Sequence, residues 1–192
     1  MSLRRRLAAA AYDPFVRRAH GLEAERAALL AEVHGAVLEI GAGTGLNRRH
    51  YAAGAEVTFA EPDPYMARRI AAPVVPAPAE ELPFADGSFD VVVSTLVLCG
   101  VDDVGRSLAE VRRVLRPGGR LVFLEHVRAP DGSRLARAQD RLNPLWRAFA
   151  GCDCNRDTVA SLEAAGFVVD ARVSPFAPPF AHPVIAGAAA LS

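Results

Sequence analysis

From residue 36 onward, short apolar runs alternate with stretches of helical period. The runs predict strands at 36–40, 56–60, 74–75, 90–94 and 120–124, and a late pair near 167–173 and 183–188. Between them, apolar residues three and four apart predict helices over 45–51, 64–71, 104–115, 133–149 and 157–165. Asp157 or Asn155 can cap the last of these and Gly166 can end it. The runs VVVS (91–94) and LVFL (121–124) are apolar throughout instead of alternating, the pattern of strands covered on both faces. Strand-helix alternation of this kind predicts an α/β fold: a doubly wound, seven-stranded, mainly parallel sheet in a single domain. Ahead of the first strand, Leu22, Leu29, Leu30 and Val33 fall at helical spacing. Residues 1–34 are therefore expected to form a helical cap on a Rossmann-like core over 35–192.

Composition narrows the chemistry. With 192 residues, 51% of them hydrophobic and 23% charged, the chain suits one domain with one sizeable core. Its 22 basic residues balance 22 acidic ones, so no overall field draws nucleic acid. All the basic residues are arginine, and the absence of lysine excludes a P-loop, a pyridoxal phosphate Schiff base and a lysine nucleophile. Three cysteines (Cys99, Cys152, Cys154) are too few for a disulfide framework and suggest a reducing cytoplasm. No apolar run is long enough to span a membrane. The opening MSLRRRLAAAAYDPF has only Leu7 to Ala11 as an apolar stretch, too short for a signal peptide core, and is expected to remain in the mature protein. Arg4, Arg5, Arg6, Arg17, Arg18 and Arg26 outnumber Asp13, Glu23 and Glu25 there. This reads as the solvated basic face of a packing helix, with weak contact to an anionic membrane surface as the alternative.

The sharpest motif is VLEIGAGTGLN, Val37 to Asn47, in which a buried strand runs into Gly41, Ala42, Gly43, Thr44 and Gly45. Glycines permit the tight turn and let backbone N–H groups approach a ligand. A second strand ends in Glu61, about 20 residues after the first glycine, where an acid accepts hydrogen bonds from a ribose diol. Dinucleotides and S-adenosylmethionine both meet this description. The spacing GxGxG lacks the extra residue that seats a pyrophosphate, and Glu39 beside the loop would repel one while favouring an α-ammonium group. Of the two ligands, S-adenosylmethionine fits these residues better.

EIGAGTG, then Glu61-Pro62, then AEELPFADGSFDVVVSTLVLC and VRRVLRPGGRLVFLEH resemble class I S-adenosylmethionine-dependent methyltransferases, in order, from Val37 to His126. TLVLC, EHV, Pro144-x-Trp146, Gly151-Cys152, NRDT and the late HPVIAG further resemble the microsomal thiol methyltransferases and their small bacterial relatives. The long apolar anchor of the microsomal members has no counterpart here, from which a soluble relative is expected. The resemblance implies that Gly41, Ala42 and Gly43 line the methionine moiety, with Glu39 and Asn47 nearby. It implies that Glu61 holds the ribose hydroxyls, Pro62 and Met66 flank the adenine, and Ala79 and Glu80 meet its edge. Pro78 stands where many relatives have an Asp, which leaves the adenine amino group to backbone or to Glu80. Thr95 and Leu96 would sit beside the sulfonium, and Tyr12 would fold back over the cofactor.

Methyl transfer needs alignment and exclusion of water more than acid-base help, and a thiol acceptor least of all. A phenol or alcohol would need a base, for which His126, directly after the fifth strand, is the candidate. Glu125 beside it is expected to turn away or bind backbone. Cys99 reads as core, and Trp146 as helix packing. Cys152 and Cys154 could with Cys99 supply three thiolates to trivalent arsenic, but C-x-C lacks the spacing of structural zinc sites and no metal is assigned. His20, His34 and His50 read as surface residues, and His182 as a residue of the pocket mouth. The expected function is methyl transfer to a small-molecule acceptor, preferentially a thiol. Alternatives are O- or N-methylation of a natural product or lipid headgroup, or a non-catalytic cofactor-binding module. The assembly is expected to be a monomer or homodimer, with the acceptor pocket drawn from residues 1–34 and 131–157.

Overall fold

The computed structural model describes residues 21–175 and 183–191. Seven strands form one sheet: β1 (Gly35–Ile40), β2 (Ala55–Ala60), β3 (Val74–Val75), β4 (Phe89–Thr95), β5 (Leu115–His126), β6 (Phe167–Val173) and β7 (Val184–Leu191). Their spatial order is β3-β2-β1-β4-β5-β7-β6. Strands β1 to β5 run parallel, with Val37 opposite both Val57 and Val91, and β7 is inserted antiparallel between β5 and β6. The expected doubly wound sheet is therefore present, and its strand order reverses beside β1. Sheets of this kind bind ligands outside the carboxyl ends of the strands at that reversal.

Helices α1 (Leu22–Leu30), α2 (Pro64–Ala67), α3 (Val104–Val114), α4 (Arg134–Ala150) and α5 (Thr158–Ala164) connect or precede the strands. Side chains alternate across a strand, so β1 sends Val37 and Glu39 to one face and Leu38 and Ile40 to the other. Leu38, Ile40, Val92, Leu121 and Phe123 pack with Leu108 and Val111 of α3 and Leu162 of α5. On the opposite face Val37, Val91, Val93 and Val122 pack with Leu30 of α1 and the adjoining Val33. Covering both faces explains the unbroken apolar runs of β4 and β5. Asp103, Ser133 and Asp157 cap α3, α4 and α5 by accepting a backbone N–H three residues on, and Gly166 follows α5 at φ +82°.

Two helical expectations need correction. Over 45–51 the structure has turns and a three-residue 3-10 helix, Arg48–His50. Gly41, Gly43 and Gly45 take φ of +54°, +58° and +81°, and this succession of left-handed bends delays any helix. Over 64–71 only Pro64–Ala67 is helical, because Pro73 draws the chain into the extended β3. His50 is also less of a surface residue than expected: its side chain is 11% exposed and its Nε2 lies 2.8 Å from Glu23. His34 is exposed. Arg4, Arg5, Arg6, Arg17, Arg18, Tyr12, His20 and His182 lie outside the described residues. Among the described residues, no helix is long and apolar enough to cross a membrane.

Candidate active site

The carboxyl ends of β1, β2 and β4 open onto a cavity of about 430 Å³. One wall is bare backbone at Gly41 and Gly43. A Cβ on Gly41 would lie 2.7 Å from the Val97 side chain, so the loop has no room for a larger residue there. Facing it is Glu61 at the end of β2, 7% exposed. Its Oε2 accepts the Gly43 N–H at 2.7 Å and its Oε1 accepts the Asp63 N–H at 2.7 Å. The carboxylate thus ties the glycine loop to the turn after β2. A carboxylate offers about four lone-pair sites, so two remain for further donors. Burial raises its pKa against those two stabilising N–H bonds.

Beneath the loop lies a buried polar network. Glu39, 1% exposed, accepts from Asn47 Nδ2 at 3.0 Å and from the Tyr51 hydroxyl at 2.6 Å. Asn47 Nδ2 also donates to Thr95 Oγ1, and Arg26 reaches in from α1 to donate to Asn47 Oδ1 (2.7 Å) and Thr95 Oγ1 (2.8 Å). Burial pushes the Glu39 carboxyl up to about 7, although the Tyr51 and Asn47 hydrogen bonds and the Arg26 charge oppose it. Arg26, 3% exposed, corrects the expectation of a solvated basic face on the first helix. The helical period places residue 26 beside Leu22, Leu29 and Leu30, so the signal for its burial was present in the pattern.

The third part of the site forms where β4 and β5 end. Leu96 takes φ +59°, uncommon for a branched side chain, and its N–H bonds the Leu124 carbonyl at 2.7 Å. The chain then curls so that the N–H groups of Val97, Leu98 and Cys99 and the Ser94 hydroxyl all donate to the buried Glu125 carboxylate. Glu125 binds backbone, as expected, and in doing so fixes Cys99 beside His126. The turn after α4 brings up Cys152 through an Asp153 N–H to Cys99 carbonyl bond of 2.7 Å. His126 Nδ1 lies 4.0 Å from Cys99 Sγ and 3.9 Å from Cys152 Sγ, and Trp146 Nε1 donates to Cys152 Sγ at 3.3 Å. Hydrogen bonding from Cys99 and the nearby imidazole hold the Cys152 thiol well below its ordinary range, while the same bond and burial push Cys99 up. Cys99 is buried, as expected for a core residue, yet it is also part of this cluster. Cys154 is turned away toward Asn143 Oδ1, so three thiols do not converge.

Of the residues expected around a cofactor, Gly41, Gly43, Glu61, Pro62, Met66, Ala79, Glu80 and Leu96 line the cavity. Pro78 lines it as well. Glu80 is also engaged elsewhere, accepting the Asp102 and Asp103 N–H groups ahead of α3. Glu39, Asn47 and Thr95 lie in the network below, and Ala42 is buried against Phe59 and Ile70. Sequence reasoning missed Asp63, Val97, Gly100, Val101, Asp102 and Gly151 as wall residues. Their position at strand ends was legible for 97–102, whereas Gly151 arrives through the docking of α4.

A doubly wound sheet with a glycine loop after β1 and an acid ending β2 is the architecture of class I methyltransferases. A family model described as a methyltransferase domain matches residues 38–123. The human thiol S-methyltransferase TMT1B is 39% identical over 167 residues, covering 76% of this chain and 68% of that protein. The human thiol S-methyltransferase TMT1A is 42% identical over 144 residues, and the chain spans 59% of its length. A Thermotoga maritima structure described as a possible histamine N-methyltransferase superposes with a TM-score of 0.72 at 21% identity, covering 96% of this chain and 98% of the other. A Burkholderia thailandensis 1,6-didemethyltoxoflavin-N1-methyltransferase, solved with S-adenosylhomocysteine, gives 0.68 at 21%, covering 98% and 87%. These two establish the likeness of fold. The chain belongs to the class I S-adenosylmethionine-dependent methyltransferases, in the family that contains the thiol S-methyltransferases. It is an enzyme whose cofactor is S-adenosylmethionine.

Proposed function

We propose that the protein transfers a methyl group to the sulfur of a small thiol. The observation that carries this acceptor class is the 39% identity to human TMT1B over 68% of that protein's length. The site accommodates it, because the cavity wall at Gly100 and Gly151 adjoins Cys99 and Cys152, at an end built of sulfur, imidazole and indole. S-adenosylmethionine supplies a methyl carbon on a positively charged sulfur, an electrophile that needs in-line approach and exclusion of water.

The residues divide that work. The backbone at Gly41 and Gly43 takes the amino-acid end, with the Glu39 and Asn47 network holding the loop from below and Ala42 seating it on the core. The two free lone-pair sites of Glu61 take the ribose hydroxyls. Pro62 and Met66 flank the adenine, and Ala79 with the backbone at Glu80 meets its edge. Leu96, over Thr95, borders the sulfonium, and His126 marks the acceptor end. A thiol is intrinsically nucleophilic and needs little help in losing its proton. The test is mass spectrometry after incubation with methyl-labelled cofactor and a mixed panel of thiols, phenols and amines. Label on sulfur is expected; label confined to phenols or amines would overturn the acceptor class.

A further inference from the structure

We infer that Cys99, His126 and Cys152 form a three-ligand site for a zinc-class divalent cation, with an open fourth position that takes a thiol as thiolate. The inference deepens the thiol reading above and rests on it for the fourth ligand. Three elements supply the three ligands: the turn after β4, the end of β5 and the turn after α4. Their ligating atoms all lie within 4.8 Å of one another, and they are the group found among the described residues that could hold a metal ion. The two imidazole–sulfur separations are 3.9 and 4.0 Å. Zn–S bonds near 2.3 Å and Zn–N bonds near 2.0–2.1 Å imply ligand separations of about 3.5–3.8 Å in a tetrahedron. Bringing each sulfur to the imidazole spacing of such a site therefore requires shifts of only about a few tenths of an ångström, and the two sulfurs lie within 4.8 Å of each other.

The scaffold holds these ligands before any cation arrives. Glu125 fixes the backbone of Cys99 with an N–H bond of 3.2 Å. The Asp153 N–H to Cys99 carbonyl bond joins the two cysteine turns. Asp153 is itself clamped by Asn143 and Arg156. Trp146 donates its indole N–H to Cys152 Sγ, the kind of outer hydrogen bond that orients a thiolate ligand. Two thiolates and an imidazole suit a borderline-soft ion such as zinc. Cys154 faces Asn143, and among the described residues no fourth protein ligand joins the cluster. Three protein ligands with one position free are the pattern of a reactive zinc site, in contrast to the closed four-ligand structural type. Gly100 and Gly151, the chain neighbours of Cys99 and Cys152, line the donor cavity, so the free position borders it. When a thiol enters, its S–H bond breaks, the proton passes to the buffer, and the sulfur electron pair forms the bond to the cation. No oxidation state changes.

The protein, purified with a phosphine reductant and stripped with chelator, is titrated with cobalt(II) in place of zinc. The expected result is one cobalt per chain, with a near-ultraviolet thiolate-to-metal band and visible bands of tetrahedral intensity. Adding 2-mercaptoethanol should raise the thiolate band by about half, as two thiolates become three, while ethanol leaves it unchanged. Cys152→Ala and His126→Gln should each lose the tetrahedral spectrum, and Cys154→Ser should keep it. Because Cys99 is buried, Cys152→Ala serves as the informative cysteine variant. Cobalt uptake no greater than that of Cys152→Ala, a six-coordinate spectrum, a Cys99–Cys152 disulfide persisting under reductant, or a band that 2-mercaptoethanol does not move would each overturn the inference. Activity separates it from the acceptor reading. Thiol methylation at full rate by chelator-treated protein overturns the metal and leaves the thiol acceptor standing. A tetrahedral, thiol-responsive cobalt site in a protein that methylates no thiol supports the site and overturns that acceptor.

Discussion

Replacing Glu61 by alanine tests the proposed cofactor pocket at its most specific point. In the structure its two oxygens each accept one backbone N–H, from Gly43 and from Asp63, both at 2.7 Å. The remaining acceptor sites are assigned to the two ribose hydroxyls. Hydrogen bonds to a charged group contribute about 1.5–3 kcal/mol each. Alanine removes both, but water can enter the space and hydrate the hydroxyls, and the freed Gly43 N–H can itself reach a ribose oxygen. The net loss is therefore expected to be about 1–3 kcal/mol, or roughly a 5- to 150-fold weaker Kd. Calorimetric titration with S-adenosylmethionine and with S-adenosylhomocysteine should show similar losses for both, since the ribose is common to them. Glu61→Gln should not rescue binding, because an amide NH2 would face the N–H of Gly43 or Asp63. The raised pKa of Glu61, caused by burial, adds a second signature. Wild-type affinity should begin to fall on acidification above the usual carboxylate range, and Glu61→Ala should not show this. A Kd within twofold of wild type in Glu61→Ala would refute the ribose assignment.

Three further outcomes follow from the same geometry. Glu39 is lifted from 4.5 to about 7 by burial, so its contribution to stability is complete below pH 4.5 and is lost as pH rises through about 7. Relative to Glu39→Gln, wild type should lose about 3 kcal/mol across that window in urea unfolding, and parallel profiles would contradict the burial argument. Glu125→Ala leaves three backbone N–H groups and the Ser94 hydroxyl without their acceptor. It should cost at least about 3 kcal/mol by denaturant titration, and a loss below about 1 kcal/mol would count against the role given to Glu125. Gly187→Ala would press a Cβ against the Asp170 carbonyl oxygen and to within 2.7 Å of the Ala171 Cα on β6. Thermal unfolding should drop by several degrees as that strand pair opens, and an unchanged Tm would show that the strands can shift apart freely.

Much of this molecule was legible before its structure. Unbroken apolar runs, the stretches of helical period between them and the start and stop signals at Asp157 and Gly166 marked out the elements, since burial on both faces of a parallel sheet leaves apolar runs that few other arrangements produce. The glycine loop and Glu61 were legible because one local turn and one strand end define them. The 45–51 helix failed because three left-handed glycines override helical periodicity. Arg26 was assigned by its charge to solvent, although its place among Leu22, Leu29 and Leu30 put it on the buried face. The meeting of Cys99, His126 and Cys152 was not readable, because it depends on how the turn after α4 docks against the turn after β4. That docking joins residues more than forty positions apart, through the Asp153 N–H to Cys99 carbonyl bond and the contacts of Arg156 with the Val101 carbonyl and of Arg147 with Asp102.

The most direct measurement of the account is a crystal structure of the protein with S-adenosylhomocysteine. The account predicts both ribose hydroxyls within hydrogen-bond distance of the Glu61 carboxylate, the amino-acid end against the Gly41 and Gly43 backbone, and the cofactor sulfur directed toward His126. A ligand bound elsewhere, or one in this cavity whose ribose makes no contact with Glu61, would contradict it.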